Sequence, residues 1–354
     1  MPYNLAMNEL TMVLPFALPP PELAPDLIRA LQAPALAALV SRTSASQFIA
    51  FDNSTRVLPH EAWLSHLLGL GAAPQAPAAA APFAVAAMRG FGLPPADGHW
   101  FIVHPIHVQI ARNHLVMDDM RLLTVSEADG RALFEAAEPY FSDAGKPLLY
   151  GDAATWFVRA DDWAGLRTAS PDAAAGQNLT AWMPEGEPAA ACRKLQNEIQ
   201  MLWFEHPVNE AREARGQKAL NAFWLWGGAA APAGATTPAA PAPLIADGPS
   251  WLAALADPAR RGTFDALIGH AGTSLLCLDS LSGAALASDW SSWLQQMQQL
   301  EEQWFAPLLS ALTQGRLDRL TLVLDHRDAW ATFSSSKNAQ RKFWRKPTLT
   351  RLIP

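Results

Sequence analysis

Three places in the chain put ionisable side chains where chemistry is commonly done. The runs 273–279 and 320–326 are apolar until their last residues, where they present Asp279 and the pair Asp325-His326. Carboxylate and imidazole donors of this kind can hold a divalent ion such as Mn or Zn. The third place is His206-Pro-Val-Asn209-Glu-Ala-Arg212-Glu-Ala-Arg215-Gly216. Arginine offers a planar donor fork suited to phosphate, so His206, Asn209, Arg212 and Arg215 form a candidate site for a phosphorylated small molecule. The plainer alternative is a helix-terminal loop tied to its own backbone and to Glu210 and Glu213.

The densest histidine group is His99, His104, His107 and His114, with Asp118 and Asp119 beyond it. Residues three apart on one strand face opposite sides, so His104 and His107 converge on one ligand only if Pro105 bends the backbone between them. The segment 337–351 interleaves Lys337, Arg341, Lys342, Arg345, Lys346 and Arg351 with Phe343 and Trp344. A basic-aromatic stretch can meet RNA, an acidic protein partner or anionic lipid, or can simply be solvated.

These groups need elements to hold them. The runs 11–16, 47–51, 273–279 and 320–326 read as strands, and 22–41 as helical with breaks at Pro25 or Pro34. Residues 60–70 and 188–205 carry apolar faces at helical spacing, as does 289–312 with Trp290, Trp293, Met297, Leu300, Trp304 and Leu308. Core packing is the simplest role for those tryptophans. Ser126-Glu-Ala-Asp129 is a capping pattern that opens a helix through residue 137. Residues 100–103 and 107–110 form a candidate strand pair, and 148–150 and 155–158 are short strands. Asn221-Ala-Phe-Trp-Leu-Trp-Gly227-Gly228 reads as a strand buried on both faces, its glycines allowing a sharp exit from the sheet. Strand, helix, strand with polar residues at the strand ends is the layout of a doubly wound α/β sheet, which binds ligands at its carboxyl edge. Two Ala/Pro-rich passages, 71–82 and 228–243, read as loops.

Composition narrows the classes. Half of the 354 residues are apolar and 17% are charged, the balance of a globular protein with one large or two medium cores. A net charge of −7 gives DNA no electrostatic footing. Cys192 and Cys277 lie far apart in apolar segments, which argues against a disulfide framework. The apolar run 10–18 has no preceding Lys or Arg and is interrupted by Pro15, so a secretory signal is not expected. No apolar run reaches the roughly 20 residues of a membrane span. The expected setting is cytoplasmic.

The passage from His206 through Gly228, with its "HPVN…R…G…NAFWLWGG" pattern, resembles the archaeal-type cofactor-independent phosphoglycerate mutases of the alkaline phosphatase superfamily. The resemblance extends in consistent order over residues 60–330. It implies an alkaline-phosphatase-like sheet built from 1–96 and 229–354, with an inserted smaller α+β domain at 97–228. It also implies that Asp279, Asp325 and His326 descend from metal ligands. The departures bear on activity. Strand 11–16 runs into Ala17-Leu-Pro-Pro where the family has Asp-Gly, and Ala284 stands near the expected His after Asp279. No phosphorylated Ser or Thr is identifiable, with Thr43, Ser44 and Ser46 candidates by location alone. Two-cation phosphoryl transfer needs several convergent carboxylates and imidazoles. Three candidate ligands suffice for one divalent ion at most.

The same length and "HPVN…NAFWLWGG" passage resemble the RpfE-type bacterial regulatory proteins. That resemblance implies a catalytically degenerate mutase-like protein with a regulatory or small-molecule-binding role. The alternative is an active metal-dependent phosphomutase or phosphatase with an altered ligand set.

Overall fold

The computed structural model describes residues 7–52, 55–71, 81–111, 113–231, 244–256 and 263–353. Two sheets dominate it. Twelve strands occur among these residues: β1 (Asn8–Leu14), β2 (Ala45–Ala50), β3 (Gly98–Ile106), β4 (Val108–Ala111), β5 (His114–Met117), β6 (Leu148–Tyr150), β7 (Trp156–Arg159), β8 (Ala222–Ala231), β9 (Leu244–Asp247), β10 (Gly272–Leu278), β11 (Arg319–His326) and β12 (Ala329–Ser336). The larger sheet has the order β2-β12-β11-β1-β10-β9, and the smaller β6-β7-β3-β8. The expected α/β class, a wound sheet with a smaller α+β unit inserted, is the architecture found.

The larger sheet joins both ends of the chain. β1 lies between β10 and β11 and runs parallel to each, while β9 extends the parallel set beyond β10. β12 then turns back antiparallel on β11, and β2 is antiparallel to β12. The central strands are apolar because helices cover both faces. One face packs Met12, Leu14, Leu276 and Leu324 against Leu36, Trp293, Met297 and Leu308. The other packs Val13, Cys277 and Val323 against a second core that reaches Phe83, Trp224, Trp226 and Trp251. The two alternate faces of β1 thus feed two separate cores.

Several expectations are adjusted. The helical stretch 22–41 is two helices, Ala24–Ala30 and Pro34–Ser41, broken at Pro34. The glycines of the aromatic strand do not end it. β8 continues to Ala231, and Gly227 adopts φ +72° opposite a register shift in β3 between Trp100 and Ile102. A bulge, not an exit, is what the glycine permits. Residues 100–103 and 107–110 do not pair with each other: β3 pairs with β7 and β8, and β4 forms a hairpin with β5. The first Ala/Pro-rich passage lies mostly outside the described residues, as does the second beyond Ala231. The 290–314 helix contains a π turn at Glu301–Phe305. Glu301 is buried there and accepts hydrogen bonds from the Ala35 and Leu36 amides, at 2.6 and 3.0 Å. It thereby caps the helix Pro34–Ser41, whose first amides lack intrahelical partners.

Candidate functional site at the carboxyl edge of the large sheet

β10 and β11 end at the same edge of the sheet with β1 between them. Their ends are therefore about 10 Å apart, two strand spacings. Asp279 and Asp325 are both buried there. Asp325 is surrounded by donors from the first sixty residues. The Phe16 amide donates to Oδ1 at 2.7 Å, while the His60 amide and His60 Nδ1 approach Oδ2 at 2.6 and 2.9 Å. His60 is the second residue of the helix Pro59–Leu67, so Asp325 also sits at that helix's positive end. Burial alone would lower the His60 pKa, but the charge and hydrogen bond of Asp325 outweigh it and raise the imidazole to about 9. Next to it, burial raises the Glu61 carboxyl to about 7.

Phe16 lies in the turn that follows β1, just before Ala17-Leu-Pro-Pro. Its φ is +56°, a conformation unfavourable for a bulky side chain. Two hydrogen bonds hold it: its amide on Asp325, and its carbonyl accepting from Trp293 Nε1 at 2.9 Å.

Asp279 has a different counterpart. Arg121 follows the β4–β5 hairpin in a short 3₁₀ turn, and its Nε donates to Asp279 Oδ2 at 2.8 Å. The same guanidinium grips Asp172 through both nitrogens, at 2.9 and 2.6 Å, and Asp119 through Nη1 at 2.9 Å. Ser282 Oγ completes the shell, donating to Asp279 Oδ1. One cation is thus shared among three carboxylates. The two buried partners respond in opposite directions. Burial acts to raise the Asp172 pKa, but the two-pronged Arg121 contact wins and lowers it. Burial also raises Asp279, and there the single Arg121 contact does not offset it.

Asp172 belongs to a short helix, Pro171–Ala174, capped by Ser170. Arg327 clasps that helix from the large sheet. Its guanidinium donates to the carbonyls of Asp172, Ala173 and Ala175, at 3.0, 2.9 and 3.3 Å. Arg56 makes a parallel clasp on the carbonyls of Ala181, Trp182 and Met183 and pairs with Glu185.

Asp279, Asp325 and His326 share one edge, but not as a ligand set. His326 Nδ1 accepts from the Asp328 amide at 3.0 Å, so a neutral ring carries its proton on Nε2, which is buried without a partner among the described residues. Among the described residues no cluster of three or more His, Cys, Asp or Glu is arranged to hold a metal ion. A two-cation centre does not fit this arrangement. The oxygens face a guanidinium, an imidazole and amides, and the permanent charge of Arg121 would repel a divalent ion beside Asp279.

The passage 206–215 is bonded internally. His206 Nδ1 accepts from the Val208 amide as the cap of the helix Pro207–Ala214. Asn209 donates to the Trp203 and Leu220 carbonyls and accepts from the Leu220 amide. Arg212 is only 1% exposed and bonds the Lys218 and Thr124 carbonyls and Asp129, which also receives Arg215. Asn209 and Arg212 are thus bonded within the α+β unit, while the Arg215 side chain is half exposed. His104 and His107 do not converge: their Nδ1 atoms contact the Ala154 and Ala219 carbonyls, each at 2.7 Å, and burial lowers His104 to about 4. Thr43 is buried and Ser46 Oγ accepts from Arg351; neither is near Asp325 by any contact. Cys192 and Cys277 are free and buried. The segment 337–351 is anchored by buried Leu349 and by hydrogen bonds between Ser41 and Thr348. Reasoning from sequence missed His60, Arg121 and Asp172. The Ser170-Pro171-Asp172 and Pro59-His60-Glu61 helix starts were the available signals.

No protein-family model matches the chain. Over 140 residues the chain is 28% identical to a probable 2,3-bisphosphoglycerate-independent phosphoglycerate mutase of Geobacter sulfurreducens. That match takes in 37% of this chain and 33% of the relative, so the chain spans about a third of the curated protein it matches. The cofactor-independent phosphoglycerate mutase of Thermoplasma acidophilum aligns over 98% of this chain and 94% of its own, at 14% identity and a TM-score of 0.41. The PH0037 protein of Pyrococcus horikoshii aligns over 99% of this chain and 92% of its own, at 11% identity and a TM-score of 0.55, a likeness of fold.

Proposed function

We propose that this chain is a catalytically degenerate phosphoglycerate-mutase-like protein of the RpfE type, with a regulatory or small-molecule-binding role. The observation that carries the reading is the Arg121 guanidinium on Asp279. A carboxylate at the end of a wound-sheet strand is there satisfied by a cation of the chain itself, and His60 stands in the same relation to Asp325. A protein cation neutralises the carboxylate as an ion would, but it offers no open coordination position and activates no water. Arg121 and Arg327 also fasten the helix Pro171–Ala174 to the carboxyl edge of the large sheet, and Arg56 ties the segment after it to the loop that follows β2, contacts that suit a binding or signalling body.

The test is an assay of purified protein for hydrolysis and transfer on phosphomonoesters, including 3-phosphoglycerate, with added manganese or zinc. The expected result is no turnover above the Asp325→Asn variant. Thermal shift with phosphorylated metabolites in chelator should show a raised midpoint for a bound ligand. Metal-dependent turnover that disappears in Asp325→Asn would establish the alternative, a working phosphomutase or phosphatase with an altered ligand set.

A further inference from the structure

β2 is an edge strand with little to cover it. Of Ala45-Ser-Gln-Phe-Ile-Ala50, five residues are exposed and Ile49 is half-buried, although Phe48 and Ile49 are large and apolar. Among the described residues its sole partner in the sheet is β12. Exposed edges in stable proteins normally carry a lysine, a proline or a bulge that prevents further pairing. This strand has none, and no charge occurs from Thr43 to Phe51.

The ladder fixes which backbone groups are outward. The Phe51 amide donates to the Asp328 carbonyl at 2.7 Å in the same register that pairs Ile49 with Trp330 and Gln47 with Thr332. In an antiparallel ladder bonded positions alternate, so Ser46, Phe48 and Ala50 turn their N–H and C=O groups away from β12.

Charge is arranged with opposite signs at the two ends of the strand. At its start Arg351 donates to Ser46 Oγ, Lys342 to the Thr43 carbonyl, and Arg42 to the Arg345 carbonyl. These contacts place Phe343 and Trp344, 80% and 67% exposed, beside the strand's entry. At its other end stand the exposed acids Asp52 and Asp328. The geometry points to a second copy of this chain as the occupant: two β2 strands pair antiparallel about a two-fold axis at Phe48, making one continuous sheet. In that register Ser46 faces Ala50 of the second copy, so each basic corner meets the other copy's acidic corner, twice per interface. A two-fold arrangement closes on itself and consumes the edge. Charge complementarity selects the antiparallel register, because a parallel one would bring like charges together.

Sedimentation equilibrium of the full chain should show a concentration-dependent species of twice the 38.3 kDa chain mass. Phe48→Lys and Phe48→Pro should each shift the protein to monomer while circular dichroism is unchanged. Arg351→Asp and Asp52→Arg should each weaken the dimer by roughly tenfold, two exposed charge contacts being reversed per interface. The double variant should recover the dimer, which keeps the test decisive if a Phe48 variant fails to fold. A chain monomeric at every concentration, a dimer indifferent to Phe48, or association that grows without closing at two copies would overturn the proposal.

Discussion

Arg121 and Asp279 are 158 positions apart in sequence and 2.8 Å apart in space, joining the turn after β5 to the end of β10. Because the guanidinium also holds Asp172 and Asp119, its removal takes the paired cation from three carboxylates at once. Arg121→Ala should cost about 3–5 kcal/mol of unfolding free energy, the range for breaking a buried ion pair from one side. Arg121→Lys should recover only part of it, since an ammonium cannot make the two-pronged contact with Asp172. Urea denaturation of the three proteins checks both statements.

His60 gives stability a pH dependence. Its folded pKa, about 9, lies above the ordinary value of 6.5, so the folded state holds the proton more tightly than the unfolded one. The contribution is complete below about 6.5 and is lost as pH rises through 9. It amounts to a few kcal/mol across that window. Thermal midpoints should fall between those limits in the natural protein, and the fall should be much shallower in His60→Gln. An equal slope in both would refute the assignment.

Asn209 tests whether 206–215 is framework. Its amide joins the end of the helix Ala189–Phe204 to Leu220 through three hydrogen bonds. Asn209→Ala should lower stability by about 2–4 kcal/mol, with buried backbone groups left unpaired. If stability is unchanged and affinity for a phosphorylated metabolite falls instead, the residue belongs to a ligand site.

Gly90 ends the helix Ala84–Gly90 against the helix Ser250–Ala254. A Cβ there would stand 1.7 Å from the Ala254 carbonyl oxygen, a backbone atom with no easy escape. Gly90→Ala should therefore be among the most damaging single methyl additions, at about 3 kcal/mol or more. Gly92→Ala, where φ is +73° but space is open, should cost only about 1 kcal/mol. Thermal denaturation of the pair separates crowding from backbone strain.

Local patterns made much of the fold legible. The expected strands 273–279 and 320–326 lie within a residue of β10 and β11, and Ser126 does cap the helix Glu127–Asp143 by accepting from the Asp129 amide. β12 was not legible because the two-residue turn that leads into it, Arg327-Asp328, has none of the glycine or asparagine that marks such hairpins. The carboxylates were legible because they end apolar runs. Their partners were not: His60, Arg121 and Asp172 reach Asp325 and Asp279 from segments far away in sequence, and nothing in a single chain marks such pairings. Asn209 and Arg212 show the converse case, where an asparagine and an arginine read as ligand donors bond backbone carbonyls instead.

β1 has a consequence for how the molecule comes into being. Its two neighbours in the sheet are supplied by residues 272–278 and 319–326, so a ribosome must add some three hundred residues after β1 before the middle of the sheet can zip. Until then Leu10, Met12, Val13 and Leu14 have nowhere dry to go. Long-range parallel pairing of this kind is slow and leaves sticky segments waiting. Chaperone demand during synthesis is thus written into the strand order, and a circular permutant opened in the Ala/Pro-rich passage before β9 would shorten the wait.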